Sequence, residues 1–271
     1  MPIYVPGKVT LAKEFTWNES VWNPSMVGPS LWLDAADAST ITEVGGAVSQ
    51  WNDKSGNSRH AVQATANNQP VYTASSLINS KPAIDFTTNR LTTLTTPTIP
   101  NNTIASSLPI FVLGVFYNRY SVSSFQSPIG ARPGGGSWWT FLRPVGGTDM
   151  EIGFHGGSQL WSGNYSTNQS ALISWSVNPS SRLNTHLNGV LIQNPLAGPF
   201  STQQNSPLSI GAGSSLTTSE NYEGLIGEII FLTSEISVSN RQKLEGYLAH
   251  KWGLTGNLPS DHPYKTVGPT P

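Results

Sequence analysis

Asp149 and Glu151 stand at i and i+2 in Asp149-Met150-Glu151-Ile152-Gly153-Phe154, so on an extended strand they occupy one face. Paired carboxylates are the equipment of glycoside hydrolysis, where a retaining enzyme holds nucleophile and acid about 5–5.5 Å apart with opposed pKa values. Same-face strand neighbours lie roughly 6.5–7 Å apart at the backbone, close enough for the two side chains to lean together. Three uses follow: a solvated edge pair, oxygen ligands for a metal, or an acid–base couple. The first asks least of the surroundings, and no catalytic residue is assigned. Oxygen ligands of this kind suit calcium, with Asp149 and Glu151 as its candidate ligands and Asp34, Asp37 and Asp53 as further carboxylates. It wants six to eight oxygens, usually from clustered carboxylates, and no EF-hand density occurs here. Asp53 is better placed as a turn cap.

Other catalytic patterns are missing. The five histidines, His60, His155, His186, His250 and His262, have no HExxH or other metal spacing, and there is no G-x-S-x-G elbow. The glycine run 130–137 lacks the strand-to-helix setting of a phosphate loop. The chain has no cysteine, which excludes thiolate metal sites, thiol nucleophiles and disulfides.

Sugar recognition is the chemistry with more material. Aromatic faces stack on C–H-rich pyranose surfaces while Asn, Asp and backbone groups bind hydroxyls. In Gly136-Ser137-Trp138-Trp139-Thr140-Phe141 the two tryptophans point to opposite faces of one strand. One belongs to the core, and Trp139 is the candidate platform. His155 in Phe154-His155-Gly156-Gly157, and Trp161 and Tyr165 in 160–165, add loop aromatics among polar neighbours. The plainer alternative is that Trp161 and Tyr165 merely cover a sheet edge.

These residues need a β framework. Among 271 residues, apolar types make up 37% and charged types 11%, against a typical ~25% charged. Ser, Thr, Asn, Gly and Pro fill the deficit and favour turns and strand surfaces. Strand runs are predicted at 30–37, 48–51, 82–86, 110–117, 138–142, 150–154, 171–177 and 225–232. The run Ile110–Tyr117 is apolar almost throughout, as in a central strand covered on both faces. Asn188-Gly189, between Thr185-His186-Leu187 and Val190-Leu191-Ile192, marks a hairpin. One helix is predicted over 239–252, opened by a Ser239/Gln242 capping box, striped by Leu244, Leu248 and Trp252, and closed at Gly253.

Net charge is −1, and Lys and Arg occur singly, so neither nucleic acid nor an anionic membrane surface is an expected partner. No signal peptide and no apolar span of 18 residues is present. Residues 1–28 show no helix or strand period, yet contain Tyr4, Phe15, Trp17 and Trp22. They read as an extended arm that packs on its own domain or on a neighbour. The four aromatics are its candidate attachment residues.

Leu31-Trp32-Leu33-Asp34-Ala35-Ala36-Asp37, then Val48-Ser49-Gln50-Trp51-Asn52-Asp53-Lys54-Ser55-Gly56-Asn57 and Lys81-Pro82-Ala83-Ile84-Asp85-Phe86, resemble the opening of laminin-G-like domains of the concanavalin-A-like lectin/glucanase superfamily. The hairpin at 185–192 is similar to theirs. The closing strand 222–237 and helix 240–254 resemble a form met in bacteriophage and bacterial surface proteins. The resemblance covers roughly 29–258 and implies an all-β, two-sheet antiparallel jelly-roll sandwich with one C-terminal helix. The arm 1–28 and an irregular Pro-rich tail, 259–271, lie outside it. Hydrolases of that superfamily carry three alternating carboxylates on a strand, and here the third is absent beside Asp149 and Glu151.

The function expected is therefore non-enzymatic. The chain reads as a bacteriophage virion-surface structural or adhesion protein: a head decoration, head fibre or tail-fibre module. It would be assembled in the host cytoplasm, bound to other virion proteins through the arm, homo-oligomeric in the particle and able to bind host-surface glycans. The alternative is a carbohydrate-binding module of a bacterial surface or secreted protein. A glucanase-type enzyme comes third.

Overall fold

A computed structural model describes residues 22–87, 93–100, 109–119, 126–131, 139–141, 150–154, 157–161, 168–177, 182–192, 196–197, 206–213 and 221–271. Among them the protein is mostly antiparallel β structure with one α-helix near the C-terminus. Six strands and the helix organise it: β1 (Leu31–Asp34), β2 (Ala83–Asp85), β3 (Ile110–Asn118), β4 (Gln169–Val177), β5 (Arg182–Leu187), β6 (Gly224–Leu232) and α1 (Val238–Trp252).

β6 is the axis. One of its edges carries two short strands end to end: β1 opposite Glu228–Phe231, and β2 opposite Leu225 and Ile226. Its other edge pairs with β3, which continues to β4 and β5. The β6–β3 register breaks between Ile226 and Glu228, leaving Gly227 as the irregular residue. Its carbonyl accepts the Ala35 N–H at 2.9 Å, and the Trp252 ring lies over it. A Cβ there would stand 2.7 Å from that ring, so only glycine lets helix and strand approach this closely.

A second set of strands pairs in succession: Ile41–Val44, Ala47–Trp51, Ala61–Val62, Leu94–Thr95, Ser209–Ile210, Ile129–Ala131, Trp139–Phe141, Met150–Phe154 and Gly157–Trp161. Val71–Thr73 pairs both with Ala47 and with β2, so hydrogen bonds link all 18 described strands into one network. The separate sheets expected from sequence are thus bridged at this edge.

Alternation along β3 divides the core. Val112 and Phe116 join Leu31, Trp51, Trp175 and Phe231 in the cluster that also takes Leu94 and Ile210 from the second set. Phe111, Leu113, Val115 and Tyr117 face the other way, onto Leu244, Leu248 and Trp252 of α1. Every residue of β3 is buried, as its apolar run requires.

The expected hairpin forms, with Asn188 at φ 51° and Gly189 at φ 83°, the left-handed pair that such a turn demands. The helix is present but starts earlier than predicted. Ser237 is the N-cap, accepting from the Asn240 N–H, so the Ser239/Gln242 box is not the cap used. Gly253 closes the helix at φ 69° with His250 and Lys251 in its last turn, as expected. The tail beyond it folds back onto α1. The Tyr264 N–H donates to His262 Nδ1 at 3.2 Å, which leaves Nε2 to donate to the buried Glu245 at 3.2 Å.

Candidate functional site

The three strands that carry the predicted sugar-binding and carboxylate residues are neighbours. Trp139 pairs with Phe154, Phe154 with Gly157, Met150 with Trp161 and Glu151 with Leu160. Trp139 and Trp161 are therefore two strands apart and offset by four residues, roughly 16 Å from backbone to backbone at ordinary strand spacings. Glu151 lies at the Trp161 end. Asp149, His155, Tyr165, Tyr4, Phe15 and Trp17 lie outside the described residues.

Trp22 corrects the expected arm. It is only 3% exposed, packed edge-on against Tyr247 of α1 with ring centroids 6.3 Å apart, and the Lys243 ammonium stands 5.9 Å from its ring centre. Residues 24–27 form a 3₁₀ turn capped by Asn23 and closed by Gly28 at φ 62°. Trp22 is thus buried in its own domain and leaves no face for an attachment partner.

The opening motif holds a chain of charges under the helix. Glu228, fully buried on β6, accepts from Trp32 Nε1 at 2.7 Å, Trp252 Nε1 at 2.8 Å and Lys251 Nζ at 2.7 Å. Lys251 also meets Asp34 at 2.6 Å, Asp34 meets Lys54 at 2.9 Å, and Lys54 meets Asp37 at 2.7 Å. Burial, then the neighbouring Asp34 charge, raise the Glu228 carboxyl above the ordinary carboxylate range, against the pull of Lys251. Burial disfavours charge at Asp37 and Lys54 as well. At Asp37 the contact with Lys54, helped by Ser39, outweighs it, and at Lys54 the charge of Asp34 and then the contact with Asp37 do so, so Asp37 is lowered and Lys54 raised. Asp53 is the turn cap foreseen, accepting from the N–H groups of Trp32, Ser55 and Arg59. The oxygens of Asp34, Asp37 and Asp53 are thus engaged by lysines and amides. Among the described residues no three His, Asp or Glu side chains are grouped to hold a metal.

Sequence reasoning missed a cleft of about 260 Å³ between the start of α1, the 234–236 loop and the ends of β3, β4 and β5. Ser176, Asn184 and His186 lie on its floor, Ile110, Leu191 and Val238 are among its apolar lining, and Arg241 and Glu235 stand at its side. Burial, then the Arg241 charge, push the His186 imidazole down to about 4, so it is neutral at physiological pH. Arg241 itself is paired with the buried Glu245. In the sequence the only signal was polar alternation at Ser174/Ser176 and Asn184/His186, which resembles an ordinary solvent face.

No protein-family profile matches the sequence, and no curated protein matches it. Solved structures do resemble the fold. The binding domain of botulinum neurotoxin serotype D is similar at a TM-score of 0.57 and 13% identity, over 82% of this chain and 52% of that one. Domain 4 of AbnA, a GH43 extracellular arabinanase from Geobacillus stearothermophilus solved in complex with arabinotriose, is similar at 0.54 and 14%, over 80% and 98%. A Trypanosoma rangeli sialidase is similar at 0.54 and 9%, over 83% of this chain. This chain spans about half the toxin domain, a third of the sialidase and nearly all of the arabinanase domain. At these identities the likeness is one of fold, an antiparallel β architecture found among binding domains.

Proposed function

We propose that this protein is a non-enzymatic glycan-binding module. The observation that carries this reading is the likeness to an arabinanase domain over nearly that domain's whole length, in a structure with a bound trisaccharide. Likeness to a neurotoxin binding domain supports the same class. The quoted opening and closing motifs support a jelly-roll domain of the laminin-G-like, concanavalin-A-like kind. Non-catalysis is supported by the missing third carboxylate beside Asp149 and Glu151. It is also supported by the engagement of Asp34, Asp37, Glu228 and Glu245 in ion pairs.

The finer reading is display on a bacteriophage virion, with host-surface glycans as ligands and other virion proteins as partners through the N-terminal arm. Because Trp22 is buried in the domain, the attachment residues of that arm reduce to Tyr4, Phe15 and Trp17. The test is a glycan array with the purified chain, followed by incubation with each ligand found. Binding without release of sugar is expected. Sugar release abolished by Asp149→Asn/Glu151→Gln would make the protein an enzyme, and no binding across neutral and acidic glycans would refute the module.

A further inference from the structure

Under a helix, a sheet face is ordinarily apolar, and most of this one is. Phe111, Leu113 and Val115 on β3 and Leu172 on β4 all pack toward α1. Further along β4 and onto β5, the same face turns polar. Ser174 stands opposite His186, and Ser176 opposite Asn184. Ser174, 1% exposed and just outside the cleft lining, leaves its hydroxyl unpaired among the described residues, while Ser176, Asn184 and His186 are half-buried and line the cleft. Buried polar groups without partners are costly, and where they persist in a native structure they call for a reason. The lining is mixed: Ser176, Asn184 and His186 on the sheet and Ser234, Glu235 and Arg241 beside them are polar, and Ile110, Phe111 and Ile236 are apolar. Leu191 and Val238, 45% and 65% exposed, form an aliphatic rim above it.

We propose that this cleft, bounded by Ser176, Asn184, His186, Leu191 and Val238, holds a single uncharged sugar unit. The inference rests on the glycan-binding reading and gives it a location. A sugar ring presents hydroxyls at its edge and C–H groups on its faces. The Asn184 amide donates and accepts, the neutral His186 ring offers one donor and one acceptor, and Ser176 does either. The aliphatic rim suits the C–H faces. Charge selects the class among the described lining residues: Arg241 is held by Glu245, Glu235 adds a negative charge at the side, and His186 stays neutral, which favours an uncharged ligand over a carboxylate. The volume, about 260 Å³, lies just below the usual ~300–1,000 Å³ of small-molecule sites and suits one ring.

The test uses the full chain, isotopically labelled, titrated with free glucose, galactose, mannose, arabinose and glucuronate while the His186 and Asn184 side-chain signals are followed by magnetic resonance. The ligand found is then measured against Asn184→Ala and Leu191→Trp, the second filling the rim without touching the core. At least one neutral sugar should shift both residues saturably. Each variant should weaken binding about tenfold or more, as expected for losing a hydrogen bond or the site itself, with an unchanged melting temperature. If the chain binds a glycan and both variants bind it like wild type, the cleft is not the site while the module reading stands. Preference for glucuronate would overturn the uncharged class. If no glycan or sugar binds at all, the module reading falls and this inference with it.

Discussion

Replacing Lys251 with methionine removes one charge from the chain Glu228–Lys251–Asp34–Lys54–Asp37 while keeping most of the side-chain volume. Lys251 lies 2.7 Å from Glu228 and 2.6 Å from Asp34, and both carboxylates are almost completely buried. Without it Asp34 retains Lys54, while Glu228 keeps neutral partners, the indole N–H groups of Trp32 and Trp252 and the Tyr247 hydroxyl. Breaking a buried pair by removing one partner costs roughly 3–5 kcal/mol, because the other charge stays buried. For a domain of this size each kcal/mol lowers Tm by about 2–4 °C, so a fall of about 6–20 °C is expected.

The loss must also depend on pH, with a definite sign. Burial and Asp34 already hold the Glu228 carboxyl above its ordinary range, and removing Lys251 raises it further. A carboxyl raised in the folded state binds more protons there than when unfolded, so stability falls as pH rises through the window between the unfolded and folded values. The Lys251→Met penalty should therefore be larger at about pH 7.5 than at about pH 5, because a growing share of the raised carboxyl is protonated as pH falls. Chemical denaturation at both pH values measures this, and Glu228→Gln/Lys251→Met should recover part of the loss. A penalty below about 1 kcal/mol, the range of a surface pair, or one that grows toward pH 5, would refute the buried chain.

Gly227→Ala should destabilise by roughly 1–3 kcal/mol in denaturant melts, since its Cβ would meet the Trp252 ring; Trp252→Ala should cost about 3–5 kcal/mol. The His186 ring should titrate near 4, and Arg241→Gln should move it upward. Because that value lies below an unfolded histidine's, the contribution is intact above about pH 6.5 and is lost as pH falls toward 4, on the order of 3 kcal/mol in full. Asp149→Asn/Glu151→Gln should leave glycan binding unchanged in a titration. Deleting residues 1–21 should leave the melting temperature near wild type, whereas deleting 1–28 removes Trp22 and should cost about 3–5 kcal/mol.

What could be read from the sequence was local. The apolar run of β3, the Asn188-Gly189 turn, the Asp53 cap and the stripe of α1 each depend on neighbours a few residues away, and each is present. The helix start was misplaced because Ser237 and Ser239 both offer a capping hydroxyl and only the backbone path chooses between them. What could not be read was long-range. Asp34, Lys54, Glu228 and Lys251 are isolated charges in the sequence, and only the pairing of β1 with β6 brings them together. Trp22 looked like part of a loose arm because its partner, Tyr247, lies at the far end of the chain. The floor of the cleft escaped notice because polar alternation on β4 and β5 is the pattern of a wet face. The approach of α1 partly encloses it.

The low charge content and the cleft belong to one physical picture. With 11% charged residues, several of them spent on the buried chain beneath α1, the protein has little long-range field with which to draw or select an ionic partner. Recognition must then rest on hydrogen bonds and C–H contacts at short range, which suits neutral sugars. On the proposed reading, a cleft sized for one ring makes few such contacts and each copy binds weakly. Such a site becomes effective through repetition, since linking copies turns later binding events into intramolecular ones and raises avidity without any new contact. On the proposed reading, display in many copies on a particle is therefore what makes so small and uncharged a site useful.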